Sequence, residues 1–226
     1  MLVCIAGLLD AGALGKARAL LDGARFDDGA RTAGWHARAV KANRQAGARD
    51  PAAREAGAIV SAALLENPVF RAAALPRRLR PVLFARYGEG ESYGAHVDYA
   101  VMGMGEAGGP LRTDVAVTVF LAPPGAYEGG ELVIEDAGGE QAFKLGAGDA
   151  VAYPATTLHR VAPVTAGERL VAVTWAQSLV RDPAAREILF DLDTARRRVF
   201  EREGEGASFD LVAKSHANLL RRWAET

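Results

Sequence analysis

The sequence predicts an α+β protein with a mainly β core, in which helices precede and follow an antiparallel sandwich or barrel. A series of short β-rich runs begins at Pro81, and glycine, proline and aspartate separate the runs. Helical periodicity is confined to the residues before this region and to those after Ser178. Strands and helices do not alternate, which disfavours a doubly wound parallel sheet. We count eight strands, the number in a double-sheet jelly roll.

The composition of the 226-residue chain is that of a globular protein, with 50% hydrophobic and 24% charged residues. It permits a sizeable core and excludes wholesale disorder. The net charge is −1, so we expect no nucleic-acid partner. The single cysteine, Cys4, cannot form an internal disulfide or a cysteine zinc site, and its apolar neighbours predict that it is buried. Any metal site must therefore use His, Asp or Glu.

The first residues are apolar in places, but Asp10 and Lys16 interrupt them and no basic leader precedes them. No stretch approaches the roughly 20 uninterrupted apolar residues that span a bilayer. We therefore expect mature structure at this end, a cytoplasmic protein and no membrane partner.

Helix signals occur at two places in the N-terminal region. Asp10 is a candidate cap for a helix near 10–22. Asp50-Pro51 is a stronger start signal, because aspartate accepts hydrogen bonds from free helix amides and proline needs no donor there. The second helix should run to about Leu65, since Asn67-Pro68 disfavours its continuation.

The β region contains seven clear runs, and a short eighth strand is expected over residues 94–98. The seven runs are PVLFARY, TDVAVTVFL, ELVIED, QAFKL, DAVAYP, LHRVAPV and ERLVAVTWAQSL. We predict a helical support region over 1–78, a jelly-roll domain over 79–179 and a small helical appendage over 180–226.

The appendage contains two predicted helices. Asp182-Pro183 opens the first, and Ser208 is the candidate cap of the second. The apolar side of the second helix is compatible with an interface in a homo-oligomer. Its members are Leu211, Val212, Leu219, Leu220 and Trp223.

The candidate metal ligands are two of the four histidines and one aspartate. His96 and Asp98 lie two residues apart, so strand periodicity directs both side chains to one face. Alone, such a pair is as often a surface hydrogen bond. His159 adds a third ligand if the roll brings a late strand beside an early one. Two histidines and a carboxylate form the facial triad of non-haem Fe(II), which leaves open positions for oxygen chemistry. His36 and His216 have polar neighbours, and we expect both at the surface.

Arg169 begins the run ERLVAVTW, whose alternation predicts a half-buried strand with the guanidinium directed into the sandwich. The carboxylate of a cosubstrate would explain a fixed cation at this position. The alternative is an ion pair with Glu168 or Asp149 at the rim.

Three segments carry a resemblance to a known family: RYGEGESYGAHVDY, EGGELVIED and GDAVAYPATTLHRVAPVTAGERLVAVTW, in this order and spacing. They resemble the Fe(II)/2-oxoglutarate dioxygenases of the prolyl-4-hydroxylase type and, more narrowly, the bacterial PKHD-type hydroxylases, one of which is linked to iron uptake. The resemblance implies a double-stranded β-helix, or jelly roll. It also implies a dioxygenase acting on paired donors, in which decarboxylation of 2-oxoglutarate is coupled to hydroxylation and one oxygen atom enters each product.

The resemblance further implies roles for individual residues. His96, Asp98 and His159 would hold one Fe(II) per subunit. Arg169 would bind the distal carboxylate of 2-oxoglutarate, and Tyr87 would help to hold this cosubstrate. L-ascorbate (vitamin C), which keeps the iron reduced in this family, is the implied auxiliary cofactor, and dioxygen is the other cosubstrate. The primary substrate stays open among a peptide, a protein side chain and a small molecule such as an iron chelator.

Two alternatives from other classes stay open. A cupin-like metal-binding protein or isomerase would share the sandwich, but cupin sites usually combine H-x-H with a glutamate and a later histidine, whereas the acidic ligand here is Asp98. A non-catalytic iron or 2-oxoglutarate sensor would share every residue named above. Only turnover separates such a sensor from an enzyme.

The segment 99–112, which begins at Tyr99 and ends at Arg112, is expected to be a substrate-facing loop because it follows Asp98 directly. Its glycines allow movement, and Met102 and Met104 offer adaptable apolar contacts. The alternative is an ordinary connector between strands. Residues 103–108 fit G-x-G-x-x-G, but no helix follows that could receive a pyrophosphate, so we expect no dinucleotide site.

Overall fold

Two antiparallel sheets form the core of the protein in a computed structural model that describes residues 1–32, 37–105 and 108–226. The strands in these ranges are β1 (Val3–Ile5), β2 (Asp27–Asp28), β3 (Lys41–Ala42), β4 (Arg44–Ala46), β5 (Pro76–Leu79), β6 (Leu83–Tyr87), β7 (Ser92–His96), β8 (Val101–Met102), β9 (Leu111–Arg112), β10 (Val115–Phe120), β11 (Tyr127–Gly129), β12 (Leu132–Asp136), β13 (Gly139–Phe143), β14 (Ala150–Pro154), β15 (Leu158–Val161), β16 (Val164–Gly167) and β17 (Arg169–Ser178). The helices are α1 (Ala11–Asp22), α2 (Pro51–Glu66), α3 (Pro68–Ala74), α4 (Pro183–Glu203) and α5 (Ala207–Trp223).

The larger sheet has the strand order β1-β14-β10-β17-β6-β4-β2, and β5 pairs with the distal half of β17. The smaller sheet has the order β13-β12-β15-β7-β3. Two short ladders, β11 with β16 and β8 with β9, complete the pairing among the described strands. Every pair is antiparallel, and the predicted α+β jelly roll is confirmed.

Strands β1 to β5 precede residue 80 and add to both sheets, although the sequence predicted only helices there. These strands contain two to four residues, too few to show a clear alternation. The predicted boundaries between the three regions stay a prediction.

The predicted helix starts at Asp10, Asp50 and Asp182 are confirmed. Each carboxylate accepts a hydrogen bond from an amide in the first turn, at 2.7 Å for Asp10, 2.9 Å for Asp50 and 3.0 Å for Asp182. The second of these helices, α2, ends at Glu66 as expected. The α3 helix, for which Asn67 serves as the cap, was not predicted.

The expected cap at Ser208 is wrong. The α5 helix begins at Ala207 after Gly206, which makes no side-chain cap, and Ser208 lies inside the first turn. The predicted apolar side also needs correction, because Leu211 is 58% exposed. Leu219 and Trp223, by contrast, pack against the small core beneath α4.

Two further expectations about single residues are wrong. Cys4 is exposed, because its side chain alternates with the buried Ile5 along an edge strand. His216 is buried, because α5 packs it against α4, and this burial lowers its pKa. His36, which was expected at the surface, lies outside the described residues.

Among the residues that are described, no helix has the length and apolar character needed to cross a membrane.

The run LHRVAPV was predicted as one strand but forms two, β15 and β16, on either side of Pro163. Proline has no amide hydrogen to donate to a ladder, so the chain leaves one sheet there. The first of the two strands carries His159 beside β7 in the smaller sheet.

Candidate metal and cosubstrate site

The three predicted metal ligands meet at the end of β7. His96 is the last residue of β7 and lies directly opposite His159 of β15 in the ladder between the two strands. One potential ligand atom from each of His96, Asp98 and His159 lies within 4.8 Å of the others. His159 Nε2 is 3.9 Å from Asp98 Oδ2. Two imidazoles and one carboxylate at this spacing can converge on a single divalent ion after small side-chain movements.

His96 and Asp98 were predicted to lie on one strand, but they do not. The expected strand over 94–98 instead ends at His96, so Asp98 lies two residues beyond it. Strand alternation therefore does not place the carboxylate. A hydrogen bond from the indole Nε1 of Trp175 to Asp98 Oδ2, 2.8 Å long, places it instead.

Backbone carbonyls orient both imidazoles. His96 Nδ1 lies 2.8 Å from the oxygen of Gly94, and His159 Nδ1 lies 3.1 Å from the oxygen of Thr157. Because a carbonyl can only accept, each Nδ1 must carry the proton. This tautomer leaves both Nε2 atoms available as ligands, the arrangement commonly seen for metal-binding histidines.

Aromatic rings pack around the histidines. The Tyr93 ring stacks on His96 with a centroid separation of 3.6 Å, and the Tyr153 ring meets His159 edge-on at 5.3 Å. The Nζ atom of Lys41 lies 4.8 Å from the Tyr93 ring centroid. Burial lowers the pKa of Lys41 to about 8, although the nearby Asp98 opposes this shift. The rings limit the movement of the imidazoles and restrict access of water.

Asp98 lies in an environment that disfavours its charge. Burial raises its pKa above the ordinary range, and His159, the Trp175 hydrogen bond and Lys41 oppose this shift only in part. A divalent cation at the position between the three ligands would favour the ionised carboxylate. The donor set and its electrostatics therefore fit a metal ion such as Fe(II).

Arg169 is buried at the start of β17, opposite Tyr87 of β6 in the ladder. The residue is 1% exposed, and its guanidinium carbon lies 5.1 Å from the Tyr87 ring centroid and 5.7 Å from that of Phe120. Among the residues whose structure is described, no carboxylate lies within ion-pair distance of Arg169, and its Nε has no acceptor. Burial accordingly lowers its pKa.

The two rim carboxylates named as alternatives for Arg169 have other partners. Glu168 pairs with Arg44 at 3.1 Å and with Arg86 at 3.7 Å. Asp149 accepts hydrogen bonds from two backbone amides, those of Gly7 and Gly146. The structure therefore does not show the rim ion pair.

The space for the Arg169 stem depends on a glycine in the EGGELVIED segment. Gly130 has a φ of +67°, and a Cβ atom added there would lie 3.1 Å from Arg169 Cδ and 3.1 Å from the Tyr127 ring. Any larger residue would therefore be strained and would press on both side chains. No sequence pattern pointed to Gly130 or Tyr127 as residues of the site.

Tyr87 is buried beside Arg169, on the neighbouring strand β6. Burial raises the pKa of its hydroxyl, while the Arg169 charge and the neighbouring amide of Asn43 oppose the shift. Asn43 is itself buried, at the point where the chain passes from β3 of the smaller sheet to β4 of the larger sheet. No sequence pattern pointed to Asn43. Trp175, in contrast, lies an even number of residues after Arg169, and strand alternation could have identified it.

The expected substrate loop is a β-hairpin in which β8 pairs with β9. Tyr99 is half exposed and Met104 is 76% exposed, whereas Met102 is partly buried in the ladder. The guanidinium of Arg112 binds Asp114 and other groups of the protein. We therefore interpret Arg112 as an anchor of the hairpin. Residues 106 and 107 lie outside the described part.

Two family models and several full-length relatives match the chain. The 2OG-Fe(II) oxygenase superfamily model matches residues 82–177, and that of the PKHD-type hydroxylase C-terminal domain matches residues 184–225. A PKHD-type hydroxylase from Synechococcus elongatus is 51% identical over 225 residues, covering 100% of both chains. One from Acaryochloris marina is 50% identical with the same coverage.

Solved structures with a similar fold include a prolyl-4-hydroxylase from Pseudomonas putida, with a TM-score of 0.54 and 18% identity over 78% of this chain and 92% of that one. HygX from Streptomyces hygroscopicus, solved with nickel and 2-oxoglutarate bound, has a TM-score of 0.53 and 13% identity over 79% of this chain and 84% of that one. At these identities the likeness concerns the jelly-roll fold. The full-length relatives show more: this chain belongs to the PKHD-type hydroxylase family of the 2OG-Fe(II) oxygenase superfamily.

Proposed function

We propose that the protein hydroxylates a second substrate at the expense of 2-oxoglutarate and dioxygen, and that His96, Asp98 and His159 hold its iron. One Fe(II) per subunit would bind the three side chains. Arg169, with Tyr87 beside it, would bind the distal carboxylate of 2-oxoglutarate. The enzyme would act on paired donors, with one oxygen atom incorporated into each.

The observation that carries this proposal is that Asp98 and Arg169, two buried groups of opposite charge, each lack a compensating partner. The buried carboxylate of Asp98 needs a cation, and the buried guanidinium of Arg169 needs an anion. A metal ion together with a dicarboxylate that reaches from it to Arg169 would meet both needs. The family to which the chain belongs implies Fe(II) and 2-oxoglutarate, which have this chemistry.

The side chains have distinct tasks in this reaction. When bound, the iron supplies activation of dioxygen, which decarboxylates 2-oxoglutarate to succinate and delivers a hydroxyl group to the substrate. Arg169 orients the cosubstrate through a planar fork of donors that matches a carboxylate. Trp175 holds Asp98 in place, and the rings of Tyr93 and Tyr153 exclude water from the two imidazoles.

We propose that the primary substrate approaches past the β8–β9 hairpin. Exposed apolar side chains lie next to the candidate ligands in the chain or in the hairpin segment that follows Asp98; they are Val97, Tyr99, Val101, Met104 and Leu158. An apolar portion of a substrate would cover them. Among proteins of similar fold, a prolyl hydroxylase has been solved with a peptide fragment and HygX with hygromycin B. The fold therefore accommodates both kinds of ligand, and a peptide, a protein side chain or a small molecule such as an iron chelator remains a candidate.

Three further features stay predictions from the family resemblance and the sequence: stimulation by L-ascorbate, a link to iron uptake and a cytoplasmic location. Ascorbate would act by keeping the bound iron reduced. Its omission from the assay should therefore shorten the period of linear turnover without changing the initial rate.

Turnover tests the proposal against the sensor alternative. Protein reconstituted anaerobically with Fe(II) and then given 2-oxoglutarate and air should form succinate, even without a primary substrate, at a slow uncoupled rate. The Asp98→Ala variant should form none. Binding of 2-oxoglutarate without succinate formation, both alone and with cell extract, would support a sensor. Ni(II) should occupy the site and suppress turnover, because nitrogen and oxygen ligands bind it more tightly than Fe(II).

The Asp98→Ala variant also serves in a search for the substrate. Metabolites and proteins from cells that contain the wild-type enzyme are compared with those from cells that contain the variant. A compound or peptide that gains one oxygen atom only with the wild-type enzyme is the candidate substrate. Its hydroxylation by purified protein completes the test.

A further inference from the structure

The β8–β9 hairpin is joined at its base to the residue after the metal ligand Asp98. Thr113 Oγ1 donates a 2.5 Å hydrogen bond to the carbonyl of Tyr99, and the Thr113 amide donates to that of Ala100 at 3.0 Å. Any displacement of the second arm of the hairpin, which is β9 with Thr113 after it, therefore moves the chain next to Asp98. The position of this arm then bears on the geometry of the metal site.

Arg112, in that second arm, is held by two carboxylates from different parts of the protein. Its Nε and Nη2 atoms bind Asp114 at 2.7 and 3.0 Å, a bidentate pair close to it in the chain. Its Nη1 atom binds Glu225 Oε2 at 2.9 Å. Asp114 alone balances the charge of Arg112, so the bond to Glu225 adds a connection between distant parts of the chain.

Glu225 is in turn fixed to the segment that follows β17. Its amide donates to the carbonyl of Leu179 at 2.7 Å, and its Oε1 atom lies 3.1 Å from Arg181 Nε. Ala224, the preceding residue, forms an isolated bridge with Val180. The end of α5 is therefore anchored beside the roll, with the Glu225 carboxylate directed at the hairpin.

We propose that Glu225 is a positioning residue through which the C-terminal unit, defined as α4, α5 and residues 224–226, holds the β8–β9 hairpin beside the metal site. This assigns the unit a part in the reaction although it supplies none of the metal or cosubstrate contacts described above. The unit's part in the reaction rests on the proposed function. The connection between Glu225 and the hairpin does not rest on it and can be tested in metal-free protein.

The contribution of the connection is modest, since Glu225 is 43% exposed and its ion pairs are screened by water and salt. Arg112 lowers the pKa of Glu225, so the carboxylate is ionised at neutral pH. Loss of the carboxylate should therefore loosen the hairpin selectively and leave the rest of the fold intact.

The test is amide hydrogen exchange in the full-length, metal-free protein, followed by mass spectrometry. Peptides that cover residues 99–105 and 108–114 should exchange about two- to fivefold faster in Glu225→Ala, because an exposed ion pair contributes little more than this factor. Glu225→Gln should show a smaller effect in the same direction. It also provides a second variant should Glu225→Ala fold poorly.

Two controls separate positioning from general stability. Glu203→Gln removes a carboxylate of the same unit whose partner, Arg202, lies beside it in α4, and it should leave exchange in the hairpin unchanged. In wild-type protein, high salt should speed exchange in the hairpin towards the rate of Glu225→Ala and should have little effect on that variant. Unchanged hairpin exchange in both Glu225 variants would overturn the proposal. So would equal acceleration in the distant β12–β13 peptide, which would indicate a purely structural role. Either result is independent of whether the protein forms succinate.

Discussion

The two sheets of the roll supply different halves of the candidate site. The smaller sheet carries His96 and His159 on adjacent strands, and the larger sheet carries Arg169 and Tyr87 on another adjacent pair. The bond between Trp175 of the larger sheet and Asp98 links the halves. Neither sheet alone contains a complete site, so the site depends on how the sheets pack.

The two halves also differ in burial. All six residues of β10, which lies beside Arg169, are buried, whereas His96 is the one buried residue of β7. Arg169, the proposed cosubstrate anchor, therefore lies beside a fully buried strand, whereas the strand that ends at the candidate ligand His96 is otherwise partly exposed. We therefore expect the substrate to enter from the side of the metal ligands, past the exposed residues of the hairpin.

The largest effect is expected from the larger sheet. Arg169→Ala should weaken 2-oxoglutarate binding by a factor of hundreds to thousands, because loss of one partner from a buried ion pair costs roughly 3–5 kcal/mol. Metal affinity should not change, since Arg169 does not contact the ligands. Anaerobic calorimetry with metal-loaded protein measures both. Arg169→Lys should restore only part of the affinity, because a point charge does not reproduce the fork. Equal cosubstrate affinity in wild type and Arg169→Ala would assign Arg169 to structure.

The smaller sheet is tested by the converse change. His159→Ala should lower Fe(II) affinity at least about tenfold. Loss of a residue that only supports a metal ligand already lowers metal affinity by about this factor, and His159 is itself a proposed ligand. Fluorescence or calorimetric titration under anaerobic conditions measures this loss. His216→Ala is the matched control, because His216 is a buried histidine in the C-terminal unit, and it should leave the affinity unchanged. Undiminished binding in His159→Ala would exclude the three-residue metal site.

The link between the halves should give an intermediate effect. Trp175→Phe keeps an aromatic ring but removes the donor to Asp98, and we expect metal affinity to fall about tenfold. Melting temperature and metal titration are measured on the same sample, because a packing defect alone would lower only the first. If metal affinity stays at the wild-type value, the cross-sheet bond does not orient Asp98.

The smallest effect is expected outside both halves. Asp182→Ala removes the cap of α4 and should lower the free energy of unfolding by about 1 kcal/mol. Metal and 2-oxoglutarate affinities should stay at wild-type values, since the cap contacts neither half. Urea denaturation and the titrations above check this. A large loss of cosubstrate affinity would show that the helical unit influences the larger sheet more strongly than its contacts indicate.

Local patterns predicted the parts of the fold that depend on local interactions. The caps at Asp10, Asp50 and Asp182 were predicted because an aspartate satisfies amides only a few residues away. Cys4 and His216 were predicted wrongly, because the neighbours that decide their exposure are distant in the sequence. The short N-terminal strands were missed for the same reason, since pairing with residues far along the chain creates them.

By itself, the sequence determined the fold class, the family and five candidate site residues, because motif spacing is a property of the chain; these residues are His96, Asp98, His159, Arg169 and Tyr87. It did not identify the residues that pack around them, such as Trp175 and Gly130. The tertiary structure decided why Asp98 faces the histidines, since a tryptophan 77 residues away holds it. It also decided that Arg169 is buried without an anion and that Glu225 reaches Arg112. The physical reason is that burial and charge pairing depend on which distant segments pack together, and one strand's pattern does not contain that information.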